Sequence, residues 1–305
     1  MSQNDYTFLF PGQGSQRPGM GKGFYDQYEE ARSVFERADS AIDISVSGLC
    51  FEADEDELRK TENTQPALFT ASYAVFTVLS GMGIVGNFFA GHSLGEYTAV
   101  TAAGYLSFED GLRVVRRRGE LMRDCDPESR GGMAAVIGMD IQVIERVCGE
   151  IGDVYPANYN SPVQTVITGV KEKVDRAADE LKRLGAKRVV TLNVGGPFHS
   201  HFMKDAAHEL EREFEAVEWH RGGGSIVSNV TARFARDTAV IKANLISQLY
   251  RPVLWNQTMK TLLEEGDRFI ESGPGGVLKG LFRAYSREAH VFSVEKPDDL
   301  NTLEG

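Results

Sequence analysis

The sequence predicts an α/β protein in which a small ferredoxin-like domain is inserted into a larger α/β domain. Residues 133–194 run β-α-β-β-α-β, the split βαβ order of the ferredoxin-like fold. Gly131-Gly132 and Gly195-Gly196-Pro197 bracket that stretch and read as hinges. Outside it, an apolar run from Ile84 to Ala90 passes through a glycine-flanked turn into the small, helix-compatible residues Leu94 to Ala103. That is the strand–turn–helix unit of an α/β domain. The expected division is residues 1–128 with 198–305 for the large domain and 129–197 for the small one, with a cleft where they meet.

Tyr6 to Phe10 has the length and apolarity of a buried first strand, and a glycine-rich loop through Pro11-Gly12-Gln13-Gly14-Ser15-Gln16 follows it. Neither a dinucleotide fingerprint nor a lysine-bearing phosphate loop is present. Gln13 either offers donors to a site at the strand's end or belongs to an ordinary strand-to-helix loop. Phe24 to Ala41 has helical spacing. Glu52 to Lys60 is acidic and reads as surface. Thr64-Gln65-Pro66 opens an apolar helix over Ala67 to Leu79, with Pro66 near its first turn, where its missing N–H is harmless. Phe108 to Cys125 is an amphipathic helix whose polar side carries Arg113, Arg116, Arg117 and Arg118, of which at most one is expected to point inward.

In the inserted stretch, Met133 to Ile137, Val154 to Asn158, Thr165 to Thr168 and Arg188 to Val194 are the strands. Ile141 to Ile151 and Val170 to Leu184 are the helices. Lys204 to Phe214 and Ala239 to Tyr250 are helical beyond it, Ile226 to Val230 is a strand bearing Asn229, and Arg268 to Glu271 is the last strand of the large domain.

The composition excludes several functions. A net charge of −11 argues against general nucleic-acid binding. Three irregularly spaced cysteines, Cys50, Cys125 and Cys148, offer neither a disulfide framework nor metal-ligand spacing, so a reducing cytoplasm is expected. His199 and His201 have no acid at zincin spacing, and no metal is expected. No apolar run approaches membrane-spanning length. No oligomerisation signal is evident, so a monomer is expected.

Gly91-His92-Ser93-Leu94-Gly95 satisfies the demands of a nucleophile elbow. Its glycines let the chain turn tightly enough to project the Ser93 hydroxyl, and the following helix N-terminus offers N–H groups to a developing oxyanion. A glycine-rich turn with a helix-capping serine reads the same way.

Together these stretches resemble the malonyl-CoA:acyl-carrier-protein transacylases, and more closely the free-standing acyltransferases that serve polyketide synthases in trans. The resemblance rests on Phe10-Pro11-Gly12-Gln13-Gly14-Ser15-Gln16, Thr64-Gln65-Pro66-Ala67, Gly91-His92-Ser93-Leu94-Gly95-Glu96 and Arg118-Gly119-Glu120-Leu121-Met122. It continues through Asn158-Tyr159-Asn160-Ser161-Pro162, Phe198-His199-Ser200, Ser228-Asn229-Val230-Thr231-Ala232, Gln248 to Val253, and Glu271-Ser272-Gly273-Pro274-Gly275. One departure is Arg221-Gly222-Gly223-Gly224, where relatives approach the Ser-Asn-Val strand through a Pro-containing segment.

The resemblance implies an α/β-hydrolase-like large domain and a ping-pong acyl transfer. Ser93 would attack the thioester of malonyl-CoA, with His199 as general acid–base and a carbonyl at Gln248 holding the second imidazole nitrogen. The N–H groups of Leu94 and Gln13 would form the oxyanion hole. Arg118 would grip the malonyl carboxylate, and Phe198 beside His199 would crowd a methyl branch. Met122, Gln65, Asn160 and Asn229 are further candidates for the substrate pocket. No cofactor of its own is implied; the phosphopantetheine belongs to the partner, an acyl carrier protein or a carrier domain of a polyketide synthase. Such carriers are acidic, which makes Arg113, Arg116, Arg117, Lys182, Arg183, Lys187 and Arg188 candidates for a docking surface.

Overall fold

A computed structural model describes residues 5–128 and 130–303. Its ten strands, in chain order, are β1 Asp5–Phe10, β2 Val85–Gly91, β3 Gly131–Ile137, β4 Val154–Ser161, β5 Gln164–Val170, β6 Arg188–Leu192, β7 Ser225–Val227, β8 Phe234–Ala235, β9 Arg268–Ser272 and β10 His290–Val294. They form two sheets. The larger has the order β10-β9-β1-β2-β7-β8 and is parallel except for β8, which pairs antiparallel at the edge.

β1 lies inside this sheet and is buried on both faces, as a parallel strand covered by helices on both sides must be. Phe8 and Phe10 enter one core with the helices Glu29–Ala41, Thr61–Gly81 and Phe108–Asp124. Leu9, pointing the other way, enters a second core with Trp255, Met259, Phe269 and Phe282.

The smaller sheet has the order β4-β5-β3-β6 and is antiparallel throughout. Alternation along β3 again sorts its side chains. Ala134 and Val136 pack under the helices Ile141–Ile151 and Lys171–Arg183, whereas Met133 and Ala135 face the cleft between the sheets. The two parts are stitched at Val253, whose N–H donates to the Ala157 carbonyl (2.8 Å) and whose carbonyl accepts from the Tyr159 N–H (2.9 Å). β4 therefore has a fixed place against the larger part.

Several local expectations change. The strand expected over Ile226 to Val230 is Ser225–Val227, which leaves Asn229 in the turn beyond it. The helix expected over Phe24 to Ala41 is broken at Tyr28, an extended residue between the helices Lys22–Gln27 and Glu29–Ala41. Glu52 to Lys60 contains a short helix, Glu55–Arg59, anchored by buried Leu58. The helix around Pro66 begins earlier, at Thr61, so Pro66 lies within it, past the first turn. Proline leaves the carbonyl four residues back without its usual donor; here Arg116 Nη1 supplies one to the Glu62 carbonyl at 2.8 Å. Finally, β9 is not the last strand of the large sheet, because β10 adds to its edge in parallel.

The Arg221-Gly222-Gly223-Gly224 segment has a packing reason. A Cβ on Gly224 would lie 2.3 Å from the Phe89 ring, and one on Gly222 would lie 2.5 Å from the Tyr105 ring. The segment passes closer to the core than a side chain would allow.

Candidate active site

The elbow forms where β2 ends and the helix Leu94–Ala102 begins. Ser93 takes φ 51° and ψ −108°, a backbone conformation costing about 1–3 kcal/mol and found mainly where function demands it. Gly95 allows the helix to start directly against β1: a Cβ there would lie 2.1 Å from the Phe10 carbonyl oxygen. The Ser93 side chain makes no capping bond to its helix. Its hydroxyl is turned instead to His199.

Ser93 Oγ lies 2.8 Å from His199 Nε2, and His199 Nδ1 lies 2.8 Å from the Gln248 backbone carbonyl. A carbonyl can only accept, so Nδ1 carries the proton and Nε2 is left to accept from the serine. That carbonyl is free for a simple reason. Gln248 ends the helix Thr238–Gln248, and the residue four further on, whose N–H would otherwise bond to it, is Pro252. His199 is buried; desolvation, followed by the nearby Arg118 charge, holds its pKa down at about 3.

Arg118 is the inward arginine of its helix, 1% exposed. Its Nη2 reaches Ser93 Oγ and Gln248 Oε1, both at 3.1 Å, and its Nη1 reaches Gln65 Oε1 at 2.7 Å. The Tyr97 ring lies 5.0 Å away beneath the guanidinium. Among the described residues no carboxylate touches it and its Nε finds no acceptor.

A string of bonds ties this cation to the first loop. Gln65 Nε2 donates to Thr61 Oγ1 (3.1 Å) and to Met122 Sδ (3.2 Å), and Thr61 Oγ1 donates to Gln13 Oε1 (3.0 Å). The Gln13 side chain is thereby held. Among the described residues neither the Gln13 N–H nor the Leu94 N–H has a backbone acceptor.

The cleft beside the dyad has a volume of about 200 Å³, with Gln13, Ser93, Met122, Asn160, Phe198 and His199 in its walls. A second cleft of about 450 Å³ adjoins it, sharing Gln13, Leu192 and Val194. Three expected substrate residues do not line the cleft. Arg118 is one, buried behind Ser93, whose Oγ lies 3.1 Å from its Nη2. Gln65 is buried behind Arg118, where it orients the guanidinium. Asn229 is buried behind the elbow, its Oδ1 accepting from the Ser93 N–H (2.7 Å) and its Nδ2 donating to the Gly91 carbonyl (2.7 Å). Asn160 does reach the cleft, 2.7 Å from His92 Nε2 and away from the dyad.

Of the basic candidates on the surface, most are already paired. Arg113 meets Asp110, Arg116 meets Glu120, Arg117 meets Glu120 and Glu213, Lys182 meets Asp179, and Arg183 meets Glu180. Lys187 and Arg188 are exposed, and among the described residues neither has an ion-pair partner. They stand at the start of β6, the strand whose far end, Leu192, borders both clefts.

Sequence reasoning left out one buried group, Glu96. Its Oε2 accepts from Gln248 Nε2 at 2.7 Å and from the Asn229 N–H at 3.1 Å. Ser93-Leu94-Gly95-Glu96 has the Ser-x-x-Glu spacing of a helix capping box, which disguises the residue as an ordinary helix start.

Comparison with known proteins gives the class first. Residues 7–286 match the acyl transferase domain family, and the chain is an acyltransferase. It is 43% identical over 299 residues to the malonyl CoA-acyl carrier protein transacylase of Bacillus subtilis, covering 96% of this chain and 94% of that protein. The crystal structure of the malonyl-CoA:acyl carrier protein transacylase of Xanthomonas oryzae superimposes with a TM-score of 0.96 at 38% identity, over 100% of this chain and 99% of that one. A malonyl-transacylase solved in complex with its type II PKS acyl-carrier protein gives 0.95 at 37% identity, over 98% of each chain. The chain belongs to the malonyl-CoA:acyl-carrier-protein transacylase family.

Proposed function

We propose that this enzyme moves a malonyl group from malonyl-CoA to Ser93, and from Ser93 to the phosphopantetheine thiol of an acyl carrier protein. The observation that carries the reading is Arg118: a buried guanidinium without a carboxylate partner among the described residues, 3.1 Å from the serine oxygen.

The chemistry follows from the geometry. His199 Nε2 takes the Ser93 proton as Oγ attacks the thioester carbonyl. The resulting oxyanion is met by the N–H groups of Leu94 and Gln13, donors of the kind whose loss costs about 3–4 kcal/mol. Collapse expels the CoA thiolate, which takes the proton back from His199. The carrier's thiol then repeats the sequence in reverse order. Once Ser93 is acylated its Oγ is an ester oxygen, a poor acceptor, and the Arg118 N–H that held it turns to the malonyl carboxylate. That carboxylate neutralises the cation which had lowered the basicity of His199, so the base strengthens when the right acyl group is bound.

The Arg118→Ala variant should lose malonyl transfer by about a thousandfold in kcat/KM, the scale of about 3–5 kcal/mol associated with breaking a buried charge pair. Acetyl transfer, which has no carboxylate to pair, should be retained or improved. Unchanged malonyl kcat/KM would overturn the assignment. Intact-mass measurement of the acyl-serine adduct, with CoA release followed in the presence and absence of a carrier, also separates transfer from hydrolysis.

Phe198, buried beside His199 in the cleft wall, gives a preference for malonyl over methylmalonyl groups, since one methyl is worth about 1–3 kcal/mol in an apolar pocket. The pathway served is a finer matter. We infer service in trans to a polyketide carrier, supported by the likeness to the transacylase solved with its type II PKS carrier. Loading Ser93 from malonyl-CoA and offering fatty-acid and polyketide carriers in competition tests it. Faster discharge to the fatty-acid carrier would reverse the inference.

A further inference from the structure

Arg118 is a buried cation whose hydrogen-bond partners, Ser93, Gln65 and Gln248, are all neutral. The next group beyond them is an acid. The Gln248 amide lies between the two charges, with Oε1 accepting from Arg118 Nη2 and Nε2 donating to Glu96 Oε2. The same Nε2 donates to the Ser93 carbonyl at 2.9 Å. All three partners of Nε2, which include Asn229 Oδ1 at 3.4 Å, are acceptors, so the amide cannot turn over without setting donors against Arg118 and acceptors against acceptors. Glu96 thus fixes which end of Gln248 meets the guanidinium, and it is the counter-charge of Arg118 at one amide's remove.

We propose that Glu96 is a specificity-determining positioning residue: through Gln248 it sets how much of the Arg118 charge is available to an acyl carboxylate. When Glu96 is ionised, the guanidinium is partly compensated and a malonyl carboxylate meets a second negative charge nearby. When Glu96 is neutral, the cation is left for the substrate alone. The coupling is reciprocal, so arrival of the malonyl group favours the protonated carboxyl.

Burial raises the Glu96 carboxyl to about 7, with its bonds to Gln248 and Asn229 and the Arg118 charge pulling the other way. This places the titration near neutrality. The groups facing Glu96 are few. The helix Phe108–Asp124 contributes Arg118, its own helix contributes Tyr97, and the helix Thr238–Gln248 contributes Gln248. Ser228 and Asn229, in the turn after β7, are neutral, as is Gln65 from the helix Thr61–Gly81. His199 meets the network through Arg118 and Ser93, and its low pKa keeps it neutral across this range.

The inference rests on the malonyl-transfer reading, and the experiment keeps the two apart. Single-turnover rates of Ser93 acylation are measured with malonyl-CoA and acetyl-CoA from pH 6 to 8.5, for the natural protein and Glu96→Gln. The ratio of the two rates cancels every titration common to both substrates, and His199, held down at about 3, stays neutral over the whole range. In the natural protein the malonyl preference should fall about tenfold as pH rises, a coupling of ordinary size. In Glu96→Gln, whose amide oxygen can still accept from Gln248 and Asn229, the preference should be high and independent of pH. Equal slopes in the two proteins overturn the inference, as does an equal loss of both activities in Glu96→Gln, which would mark the residue as merely structural. Absence of a malonyl-serine adduct in the natural protein would instead overturn the proposed function.

Discussion

The two walls of the cleft are made of different material. The parallel-sheet side presents Ser93 and His199, backed by the buried Arg118, Gln248, Glu96 and Asn229 in one continuous hydrogen-bond network. The smaller sheet presents Met133, Ala135, Val166 and Leu192, interrupted by Asn158, Asn160 and Gln164. The first wall comes from the C-terminal ends of parallel strands, where helix starts and loops gather polar groups at fixed positions. The second is the side of an antiparallel sheet left uncovered by its helices, and it has shape but no acid, base or nucleophile. The difference assigns the work. Changes to the polar wall should alter the chemical step, and changes to the smaller domain should alter substrate capture.

The sharpest way to break that contrast is to disturb the polar wall without touching a polar atom. Gly95→Ala places a methyl 2.1 Å from the Phe10 carbonyl oxygen, against backbone that has nowhere to retreat. Overpacking of this kind costs about 1–3 kcal/mol or more. A displacement of 1 Å at the nucleophile costs about a hundredfold in rate. The expected result is a lower Tm in calorimetry together with at least that loss in acyl-serine formation. A variant with normal stability and acylation would show that the elbow tolerates movement, and the contrast between the walls would lose its basis.

A smaller effect concerns pH. Because the folded-state pKa of His199 is depressed from 6.5 to about 3, the folded protein resists protonating it. The stability it contributes is fully present above pH 6.5 and is lost as pH falls toward 3. The neutral base likewise persists, so malonyl kcat/KM should show no loss between pH 7 and 5, with the acid limb appearing only below that. An acid limb near 6.5 would mean that the imidazole is solvated like a free histidine. In Arg118→Ala the limb should move upward, since the guanidinium is the second cause of the depression after burial.

Much of the polar wall is legible in the sequence because its signals are local. A strand, a glycine-flanked serine and a helix start lie within a few residues, and the β-α-β-β-α-β order of the smaller sheet follows from periodicity alone. Arg118 is different. Its helix carries four arginines between residues 113 and 118, and only resemblance to a family singles out the inward one. Glu96 is hidden by a spacing that ordinarily caps a helix. Thr61, which links Gln65 to Gln13, carries no signal, since the helix was expected to begin after it. β10 escaped notice because it is an edge strand with only Val291 and Val294 buried, too weak an alternation to recognise.

The smallest effect belongs to the outer edge of the second wall and tests whether the smaller sheet contributes to capture alone. Lys187 and Arg188 stand at one end of β6, and Leu192 at its other end borders the cleft. If an acidic carrier approaches along that strand, unpaired cations there raise its rate of encounter without taking part in the chemistry. Reversing both charges, Lys187→Glu with Arg188→Glu, should raise KM for the carrier protein about fivefold to tenfold at low salt. An exposed charge pair is worth only about 0.2–1 kcal/mol, which limits the effect of each residue. The defect should shrink as ionic strength rises, because exposed charges more than about 8–10 Å apart are screened at physiological salt. KM for malonyl-CoA and the rate of Ser93 acylation should stay at their natural values, since neither cation reaches the dyad or Arg118. A fall in the acylation rate would show that the smaller sheet shapes the chemical step after all.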